Sequence, residues 1–313
     1  MNNPDNTNNT TFETYNMPDY LDYLEAEAIF IIREAAAQFK NTVILFSGGK
    51  DSATVTHLAH KAFFPAPVPF ALLHIDTGHN FKEVLKFRDQ TAERYHMKLW
   101  IASVEDSIKQ GRVKDEEGYD ASRIALQSVS LLDAISNYKI EACIGGARRD
   151  EEKARAKERV FSHRDILGRW NPQHQRPELW HLYNTRKNEG EHFRVFPLSN
   201  WTELDVWNYI KRENIALPSL YFSHERKVFR RNGIWFADEG IIPLMPGEVS
   251  ETHMVRFRTV GDVTSSGATL SNAATIDEVI HEILQSNTSE RGGRADDKRS
   301  ENSMEQRKRE GYF

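Results

Sequence analysis

The stretch that decides the fold reads Thr42-Val-Ile-Leu-Phe-Ser-Gly-Gly-Lys-Asp-Ser52. It starts with a short apolar run without alternation, which is typical of a strand buried on both faces. An amphipathic helical pattern starts at Ala53, so residues 47–52 join a buried strand to a helix. A strand, a glycine-rich turn and a helix in this order predict a loop that binds phosphate.

Each residue type in this loop has a physical use in holding an anion. The glycines let the backbone turn tightly and present N–H groups, and the following helix places the positive end of its dipole at the same point. The serines add hydroxyl donors and Lys50 adds a cationic point charge. Asp51 fits beside an anion if it caps the helix or orients a Mg²⁺ ion shared with the phosphates. The candidate phosphate-binding residues are Ser47, Gly48, Gly49, Lys50, Asp51 and Ser52.

The loop differs from other phosphate-binding and catalytic motifs. An ordinary glycine-rich turn would explain the two glycines but not the full hexapeptide. The chain contains no GxxxxGK[ST], so the loop is not a Walker loop, and it contains no GxGxxG, GxSxG or HExxH. Hydride transfer, serine hydrolysis and zinc proteolysis therefore lack support in the sequence.

Outward from the loop, apolar runs alternate with helical patterns. The alternation of strands and helices predicts right-handed crossovers and a parallel sheet that is covered on both faces. We therefore expect an α/β fold with a doubly wound, five-stranded, mostly parallel sheet, whose ligands bind beyond the carboxyl ends of the strands. The five apolar runs are residues 42–46, 70–75, 98–104, 140–144 and 193–196.

The chain divides into three parts by composition. Residues 1–17 are rich in Asn and Thr and predict a flexible tail, and residues 18–215 hold the sheet and its helices. Residues 216–313 are expected to be irregular, with one amphipathic helix after Thr275 and a mobile charged tail from residue 286. Thr202 and Thr275 each stand three residues before an acidic residue, which predicts a capping box at both positions.

Composition excludes several classes of function. The 313 residues carry 41 Lys+Arg against 46 Asp+Glu, a net charge of −5, which argues against a general nucleic-acid binder. Cys143 is the only cysteine, so the sequence offers no disulfide or Cys-rich zinc site and suggests a reducing compartment, the cytoplasm. The histidines lack ligand spacing, so no bound metal site is expected. Neither a secretory signal nor an apolar run long enough to cross a membrane is found.

The hexapeptide SGGKDS resembles the PP-loop of the ATP pyrophosphatase family, which splits ATP between the α and β phosphates. Four further stretches, 74–78, 145–153, 197–207 and 303–313, sharpen the likeness. They read HIDTG, GGARRDEEK, PLSNWTELDVW and SMEQRKREGYF. Together they look like the small catalytic subunits of bacterial ATP sulfurylases, from about residue 18 to the end.

This resemblance implies a fold similar to the adenine nucleotide alpha hydrolases and an adenylyl transfer from Mg²⁺-bound ATP to sulfate. The products would be adenosine 5′-phosphosulfate and pyrophosphate, in the first step of sulfate assimilation. Family members work with a larger GTPase subunit that drives the unfavourable step, so the resemblance also implies a heterodimer.

Other site candidates follow the later strands. Asp76 and Thr77 follow the second strand and are expected beside the nucleotide. Arg148 and Arg149 follow the fourth strand, where paired guanidinium groups suit a tetrahedral oxyanion such as sulfate. We expect Lys50 and these two arginines to be catalytic. Basic residues at 153–159 continue a helix-like run, which we interpret as a solvated face at its outer end.

A second arginine pair lies at Arg256 and Arg258. The resemblance implies that this segment completes the oxyanion side of the pocket, so both are candidate sulfate-binding residues. Asp262 follows Gly261 at a point where relatives are expected to carry cysteine, which argues against a redox role there.

Three alternative functions stay open on sequence grounds. Another PP-loop enzyme could adenylate a carboxylate, an amide or a tRNA base, but the tRNA enzymes usually need a cysteine pair or a basic face. A reductase of phosphoadenylyl sulfate needs a nucleophilic cysteine near its terminus, and no cysteine follows Cys143. A nucleotide-sensing subunit would bind ATP without turnover.

Overall fold

The computed structural model describes residues 19–151, 153–286 and 290. The N-terminal tail expected over residues 1–17 lies outside the described residues, and so does the charged C-terminal tail apart from Glu290. Within the described ranges, every helix is too short or too polar to traverse a lipid bilayer.

Helices and strands alternate through the first two thirds of the chain, and short strands dominate the last third. Short 3₁₀ turns lie at Lys153–Lys157, Pro172–His174, Leu179–His181 and Ser219–Tyr221. In chain order the longer elements are α1 (Tyr20–Gln38), β1 (Thr42–Leu45), α2 (Lys50–Phe63), β2 (Ala71–Asp76), α3 (Lys82–Arg94), β3 (Leu99–Ser103), α4 (Val104–Lys109), α5 (Gln127–Asn137), β4 (Ala142–Ile144), β5 (Phe161–Arg164), β6 (His192–Val195), α6 (Glu203–Glu213), β7 (His224–Arg231), β8 (Ile234–Ala237), β9 (Glu251–Phe257), β10 (Ala268–Leu270) and α7 (Ile276–Gln285).

The main sheet has six strands in the order β3-β2-β1-β4-β6-β5. Strand β1 pairs in parallel with β2 on one side and β4 on the other, and β3 and β6 extend the parallel part. The chain therefore reverses its direction of winding between β1 and β4, which opens a crevice at their carboxyl ends. The α/β class and the five expected strands are confirmed, and the candidate loop lies at the crevice.

Helices cover both faces of this sheet because neighbouring residues of each strand point to opposite sides. Ile44 of β1 packs in a core cluster with Ile31 of α1 and Leu58 of α2. The adjacent Val43 packs on the other face with Leu131 of α5. The expected doubly wound arrangement is thus confirmed at the strand that carries the loop.

The sixth strand, β5, was not expected from the sequence. It lies at the edge of the sheet and pairs antiparallel with β6. The prediction of a helix-like run over residues 153–159 is wrong in type, since the structure has one 3₁₀ turn there. Strand β5 was missed because it lacks an apolar run. Its Arg164 is buried and forms an ion pair with buried Glu158.

The C-terminal region is more regular than expected, because β7 to β10 close into a small barrel in the order β10-β8-β7-β9. Asn232 and Gly233 join β7 to β8 with φ values of 50° and 79°, as a type I′ hairpin turn requires. Strand β7 reads His-Glu-Arg-Lys-Val-Phe-Arg-Arg, so its charged residues conceal the apolar pattern of a strand. The capping boxes at Thr202 and Thr275 are confirmed.

Buried His192 on β6 predicts a stability that depends on pH. Burial lowers its pKa to about 2, and the nearby Arg194 and Arg164 guanidinium groups contribute in the same direction. The unfolded chain protonates this histidine below about pH 6.5, whereas the folded chain keeps it neutral down to about pH 2. The contribution of His192 to stability is therefore fully present above pH 6.5 and falls by about 1.4 kcal/mol per pH unit as the pH drops below it.

The measurement is urea unfolding of the wild type and of His192→Gln between pH 5 and pH 8. We expect the free energy of unfolding to fall less steeply below pH 6.5 in the variant, because one proton no longer couples to unfolding. Equal slopes in the two proteins would show that His192 does not carry this dependence.

Candidate active site

The loop between β1 and α2 has the geometry of an anion cradle. Gly48 adopts a φ of +78°, and a Cβ there would lie 2.7 Å from Val84 Cγ1, so both conformation and space require glycine. Gly49 is the N-cap of α2 and has no side-chain capping bond. The Ser52 hydroxyl donates to the Gly49 carbonyl at 2.9 Å, and the Gly49 N–H donates to Ser47 Oγ at 3.3 Å. The loop is thus fixed by its own side chains at the positive end of a helix.

A tyrosine from the distant part of the chain ties down the start of α2. The Lys50 N–H donates to Tyr221 Oη over 2.8 Å, across 171 residues of sequence. Tyr221 is buried, and burial raises the pKa of its phenol. A neutral phenol oxygen can accept this bond, so the segment that leads into the barrel positions the loop.

Two buried cations lie at the head of α2. Lys50 and Arg148 are each 1% exposed, although one comes from the loop and the other from beyond β4. Both pair with the same two carboxylates: Lys50 Nζ lies 3.0 Å from Asp51 Oδ2, and Arg148 also contacts Asp51. Glu290 contacts both cations. The structure thus brings two of the three residues predicted to be catalytic, Lys50 and Arg148, into one cationic cradle, and the Glu290 carboxylate occupies it.

The Glu290 carboxylate is held as an anion. Burial alone would raise its pKa, but Lys50 and Arg148 outweigh burial and hold the pKa at about 2. Arg258 adds a smaller contribution of the same sign. The cradle therefore stabilises negative charge by a large margin, which is the property that a phosphate or sulfate site requires.

A cavity of about 250 Å³, the nucleotide pocket, opens beside the loop. Its lining combines polar and apolar side chains, as a site for a purine base joined to phosphates requires. The polar lining residues include Asp51, Ser52, Glu151 and Arg155. The apolar lining residues are Leu45, Phe46, Leu73, Ile75, Ile124, Phe196 and Val260. A larger groove of about 1600 Å³ lies beside β5 and shares none of these residues.

Asp76 and Thr77 follow β2 as predicted, but the structure gives them local partners. The Gly78 N–H donates to Asp76 Oδ1 at 2.8 Å, and Thr77 Oγ1 accepts the His79 N–H at 3.0 Å. Neither is among the residues that line the nucleotide pocket, whereas Ile75 immediately before them is. Their observed contacts shape the turn at the crevice.

Arg148 and Arg149 diverge although they are adjacent in sequence. The Arg149 guanidinium donates to Asn200 Oδ1 at 2.5 Å and to the Glu158 carbonyl at 3.5 Å, away from the cradle. Arg155, which was not chosen from the sequence, lines the nucleotide pocket instead. Its Nε lies 3.1 Å from Glu151 Oε2, and its Nη1 is buried without a hydrogen-bond partner in the described part of the chain.

Arg256 and Arg258 lie together at the end of β9 and line a second cavity of about 260 Å³, the arginine cavity. Arg256 Nε donates to Glu282 Oε2 at 2.7 Å, and Arg258 Nη2 donates to Glu203 Oε2 at 2.7 Å. Glu290 also lines this cavity. The second arginine pair thus approaches the cradle from the barrel side.

Long-range contacts bring residues into the site that no local pattern indicates. Glu290 lies 240 positions after Lys50, and Tyr221 lies in a short aromatic segment without a motif.

Among the described residues, no three His, Cys, Asp or Glu side chains are grouped to hold a metal ion by themselves. The Asp262 carboxylate, at the position where cysteine was expected, accepts the Ser265 N–H at 3.0 Å and so supports the adjoining turn.

Comparison with known proteins places this geometry in a family. The model of the phosphoadenosine phosphosulfate reductase domain matches residues 41–268. Sulfate adenylyltransferase subunit 2 of Streptomyces lavendulae is 57% identical over 295 residues, covering 94% of this chain and 92% of that protein. The protein of the same name from Mycobacterium tuberculosis is 54% identical and covers 94% of both chains.

A more distant likeness extends to a solved structure. The FMN adenylyltransferase of Candida glabrata in complex with ATP aligns with a TM-score of 0.48 and 16% identity, over 88% of this chain and 87% of that one. A likeness at this level supports no conclusion about the reaction, so the chemistry rests on the geometry of the cradle and on the near relatives.

Proposed function

The chain belongs to the family of sulfate adenylyltransferase subunit 2, and from that premise we propose that it is the catalytic subunit that transfers the adenylyl group of ATP to sulfate. The observation that carries this proposal is the cradle of Lys50 and Arg148 at the start of α2. Two buried cations that share a buried carboxylate form a site for a multiply charged oxyanion. The nucleotide pocket beside the loop has apolar lining residues that suit the base.

The proposed reaction is a single in-line displacement. A sulfate oxygen attacks the α-phosphorus, the bond from that phosphorus to the α,β-bridging oxygen breaks, and the electron pair leaves with pyrophosphate. Sulfate is already a dianion, so no proton has to be removed from the nucleophile. Catalysis then comes from holding two anions in line and from neutralising the charge that develops on the leaving group. Lys50 and the loop N–H groups would bind the leaving pyrophosphate.

Mg²⁺ is expected to arrive with ATP. Asp51 and Glu151 place carboxylate groups along the nucleotide pocket, and hard oxygen ligands of this kind suit Mg²⁺. Bound to the phosphates, the ion would screen their charge. If phosphate oxygens replaced Asp51 as partners of Lys50 and Arg148, the Asp51 carboxylate would be available to hold the ion.

The proposal includes a partner. The relatives are named subunit 2, and the anhydride formed between sulfate and phosphate is a reactive bond, so the step is energetically unfavourable. We propose that a larger GTPase subunit forms a heterodimer with this chain and drives the step by GTP hydrolysis, as the entry to sulfate assimilation and cysteine biosynthesis. A single buried cysteine fits the cytoplasm as the site of action.

The test is pyrophosphate release from Mg-ATP by the full chain, with and without sulfate, in the presence and absence of the GTPase subunit and GTP. We expect release that requires sulfate and rises when the partner hydrolyses GTP, because both anions must be positioned before the bond breaks. The product should be adenosine 5′-phosphosulfate in amounts equal to pyrophosphate.

Each other outcome would select another function. Pyrophosphate release that does not depend on sulfate would indicate a different acceptor. The chain would then be another PP-loop adenylating enzyme. ATP binding without release under any of these conditions would indicate a nucleotide-sensing subunit.

A further inference from the structure

One turn on the surface carries a concentration of exposed apolar side chains. Leu179, Trp180 and Leu182 lie in and directly after the 3₁₀ turn Leu179–His181. Trp180 is 81% exposed, and both leucines are more than half exposed. Phe30 on α1 is nearly half exposed, and its ring centroid lies 6.3 Å from that of His181 in the same turn. We call Phe30, Leu179, Trp180 and Leu182 the tryptophan patch. It exposes on the order of 400 Å² of apolar surface, a size at which patches mark interaction sites.

The backbone of this turn holds Trp180 out into solvent. Trp180 has a φ of 54° and a ψ of 34°, and His181 has a φ of 56°, a left-handed conformation that residues with large side chains rarely adopt. The Leu182 N–H donates to the Leu179 carbonyl at 3.0 Å, which closes the turn. Such strain persists only where the surrounding structure maintains it, and it is typical of binding sites. The exposed tryptophan is therefore preorganised for a contact.

The groove of about 1600 Å³ beside β5 begins where the tryptophan patch ends. Tyr183 connects the two, because it lines the groove and its ring centroid lies 6.3 Å from that of Phe30. The Tyr183 ring also stacks on Phe161 of β5, with 4.5 Å between centroids. Thr185 lines the groove as well, and its hydroxyl donates to Gln38 Oε1 at the end of α1 at 3.2 Å. The patch and the groove thus form one continuous surface.

The charged side chains of this groove favour an acidic partner. The two carboxylates among its lining residues, Asp165 and Glu191, are both engaged. Asp165 Oδ2 accepts from Arg169 Nε at 2.9 Å, and Glu191 Oε2 lies 3.0 Å from His163 Nε2. Two further cations line the groove with exposed side chains, Arg176 and Arg186. The groove therefore offers positive charge on a chain whose net charge is −5.

We propose that the tryptophan patch and this groove together bind the larger GTPase subunit, which presents an apolar socket flanked by acidic side chains. The inference rests on the proposed function, because that function requires the larger subunit. Trp180 enters the socket as the central anchor, and Arg176 and Arg186 pair with the carboxylates around it. Buried tryptophan and arginine side chains are among the residues that dominate the binding energy of protein interfaces.

The size and charge of the surface favour a different protein over a second copy of this chain. A stable interface covers about 800 Å² on each partner, roughly twice the area of the patch, so the rim of the groove has to take part. In a twofold homodimer each surface would face its own copy, and the groove arginines of the two chains would approach one another. Like charges oppose binding, whereas carboxylates of a different subunit would be attracted.

The position of the surface suits a subunit that acts on the nucleotide site. The groove shares no lining residue with the nucleotide pocket, so the two can be occupied together. One short segment joins them, since Arg155 lines the pocket and His163 lines the groove. Between these two residues, Glu158 forms a buried ion pair with Arg164 of β5. A subunit bound at the groove therefore contacts the segment that also carries Arg155.

The first test measures the dissociation constant of the complex between the full chain and the larger subunit of the same organism, by sedimentation velocity. We expect Trp180→Ala to raise this constant about 100-fold, because the central aromatic anchor is lost. Phe64→Ala is the matched control, since Phe64 is an aromatic residue of similar exposure outside the surface, and it should change the constant less than about twofold. Thermal unfolding checks that both variants fold. Equal constants for Trp180→Ala and the wild type would overturn the proposal.

The second test reverses the charge of the groove. The double variant Arg176→Glu, Arg186→Glu should associate with the larger subunit about tenfold more slowly at low salt, because acidic side chains are no longer steered to the groove. The difference should shrink as salt is raised. Lys82→Glu, Lys86→Glu on α3 is the matched control, with the same change of net charge at exposed positions. An equal loss of rate in both double variants would refute the role of the groove.

The outcomes separate this proposal from the proposed function. If the wild-type chain does not bind the larger subunit, the partner in the proposed function fails, and this inference fails with it. If the wild type binds and its pyrophosphate release rises with GTP, but Trp180→Ala behaves in the same way, only this inference fails. Sedimentation of the chain alone gives a further outcome: a dimer that Trp180→Ala converts to a monomer would assign the surface to a second copy and overturn the proposal.

Discussion

Lys50→Ala should lower the maximal rate of sulfate-dependent pyrophosphate release by about 10²–10³-fold, the loss expected when one preorganised donor to a developing charge is removed. The side chain lies at the start of α2, 1% exposed, where no water can replace its charge without a change in the site. The effect should fall mainly on the rate rather than on the KM for ATP, since the base and the loop N–H groups still hold the nucleotide.

Lys157→Ala provides the control for this prediction. Lys157 is exposed and does not line the nucleotide pocket, so its loss should change the rate by less than about twofold. Circular dichroism and thermal unfolding of both variants would establish that the folds are equal. A Lys50→Ala enzyme within a few-fold of the wild type would mean that Arg148 and the loop amides suffice for the leaving group.

Gly146→Ala should lower the rate of pyrophosphate release by roughly 10²-fold through displacement of the loop, since an error of about 1 Å in positioning has that effect. A Cβ on Gly146 would lie 2.7 Å from Asp51 Cβ and 2.9 Å from the Asp51 carbonyl carbon. These atoms belong to the first turn of α2, so the backbone of the cradle has to move. The overpacking should also lower the free energy of unfolding by about 1–3 kcal/mol.

The adjacent glycine is a matched control. A Cβ on Gly145 would meet Phe196 Cε1 at 3.4 Å, which is ordinary contact with a ring that can shift slightly. Gly145→Ala should therefore keep most of the activity and stability. Both variants would be measured for pyrophosphate release, ATP affinity and urea unfolding, and equal behaviour of the two would contradict the steric argument.

The sequence was sufficient to predict the sheet domain where structure is decided locally. The buried strands read as apolar runs, and the capping residues stood at their expected spacing. Residues 47–52 formed a recognisable phosphate-binding motif. Strands β5 and β7 were missed for a physical reason: charged side chains are buried in β5 and alternate with apolar ones in β7, so no apolar run marks either strand. Strand β8 does form an apolar run, Ile-Trp-Phe-Ala, and together with the preceding Asn232-Gly233 it was a local signal that could have revealed the β7–β8 hairpin.

The candidate site was only partly predictable because its remaining residues meet across long stretches of chain. Lys50 contacts Tyr221, which lies 171 positions later in the chain, and Glu290, which lies 240 positions later. No sequence periodicity links residues at such separations. Nothing in the sequence distinguished Arg148 from Arg149. In the structure only Arg148 lies in the cradle, because the backbone after β4 directs the two side chains differently. Periodicity can predict which element carries a residue, but the direction of a side chain depends on tertiary packing.

The bond from the Lys50 N–H to Tyr221 has a consequence for how this protein can change over generations. The nucleotide site is composite: β1 and α2 supply the loop, while Tyr221, Val260 and Gly261 come from the later part of the chain. Recombination between relatives at the boundary predicted near residue 215 would separate a loop from the residues that complete its site. The two parts must be inherited together, so the barrel is a component of the enzyme rather than an exchangeable module.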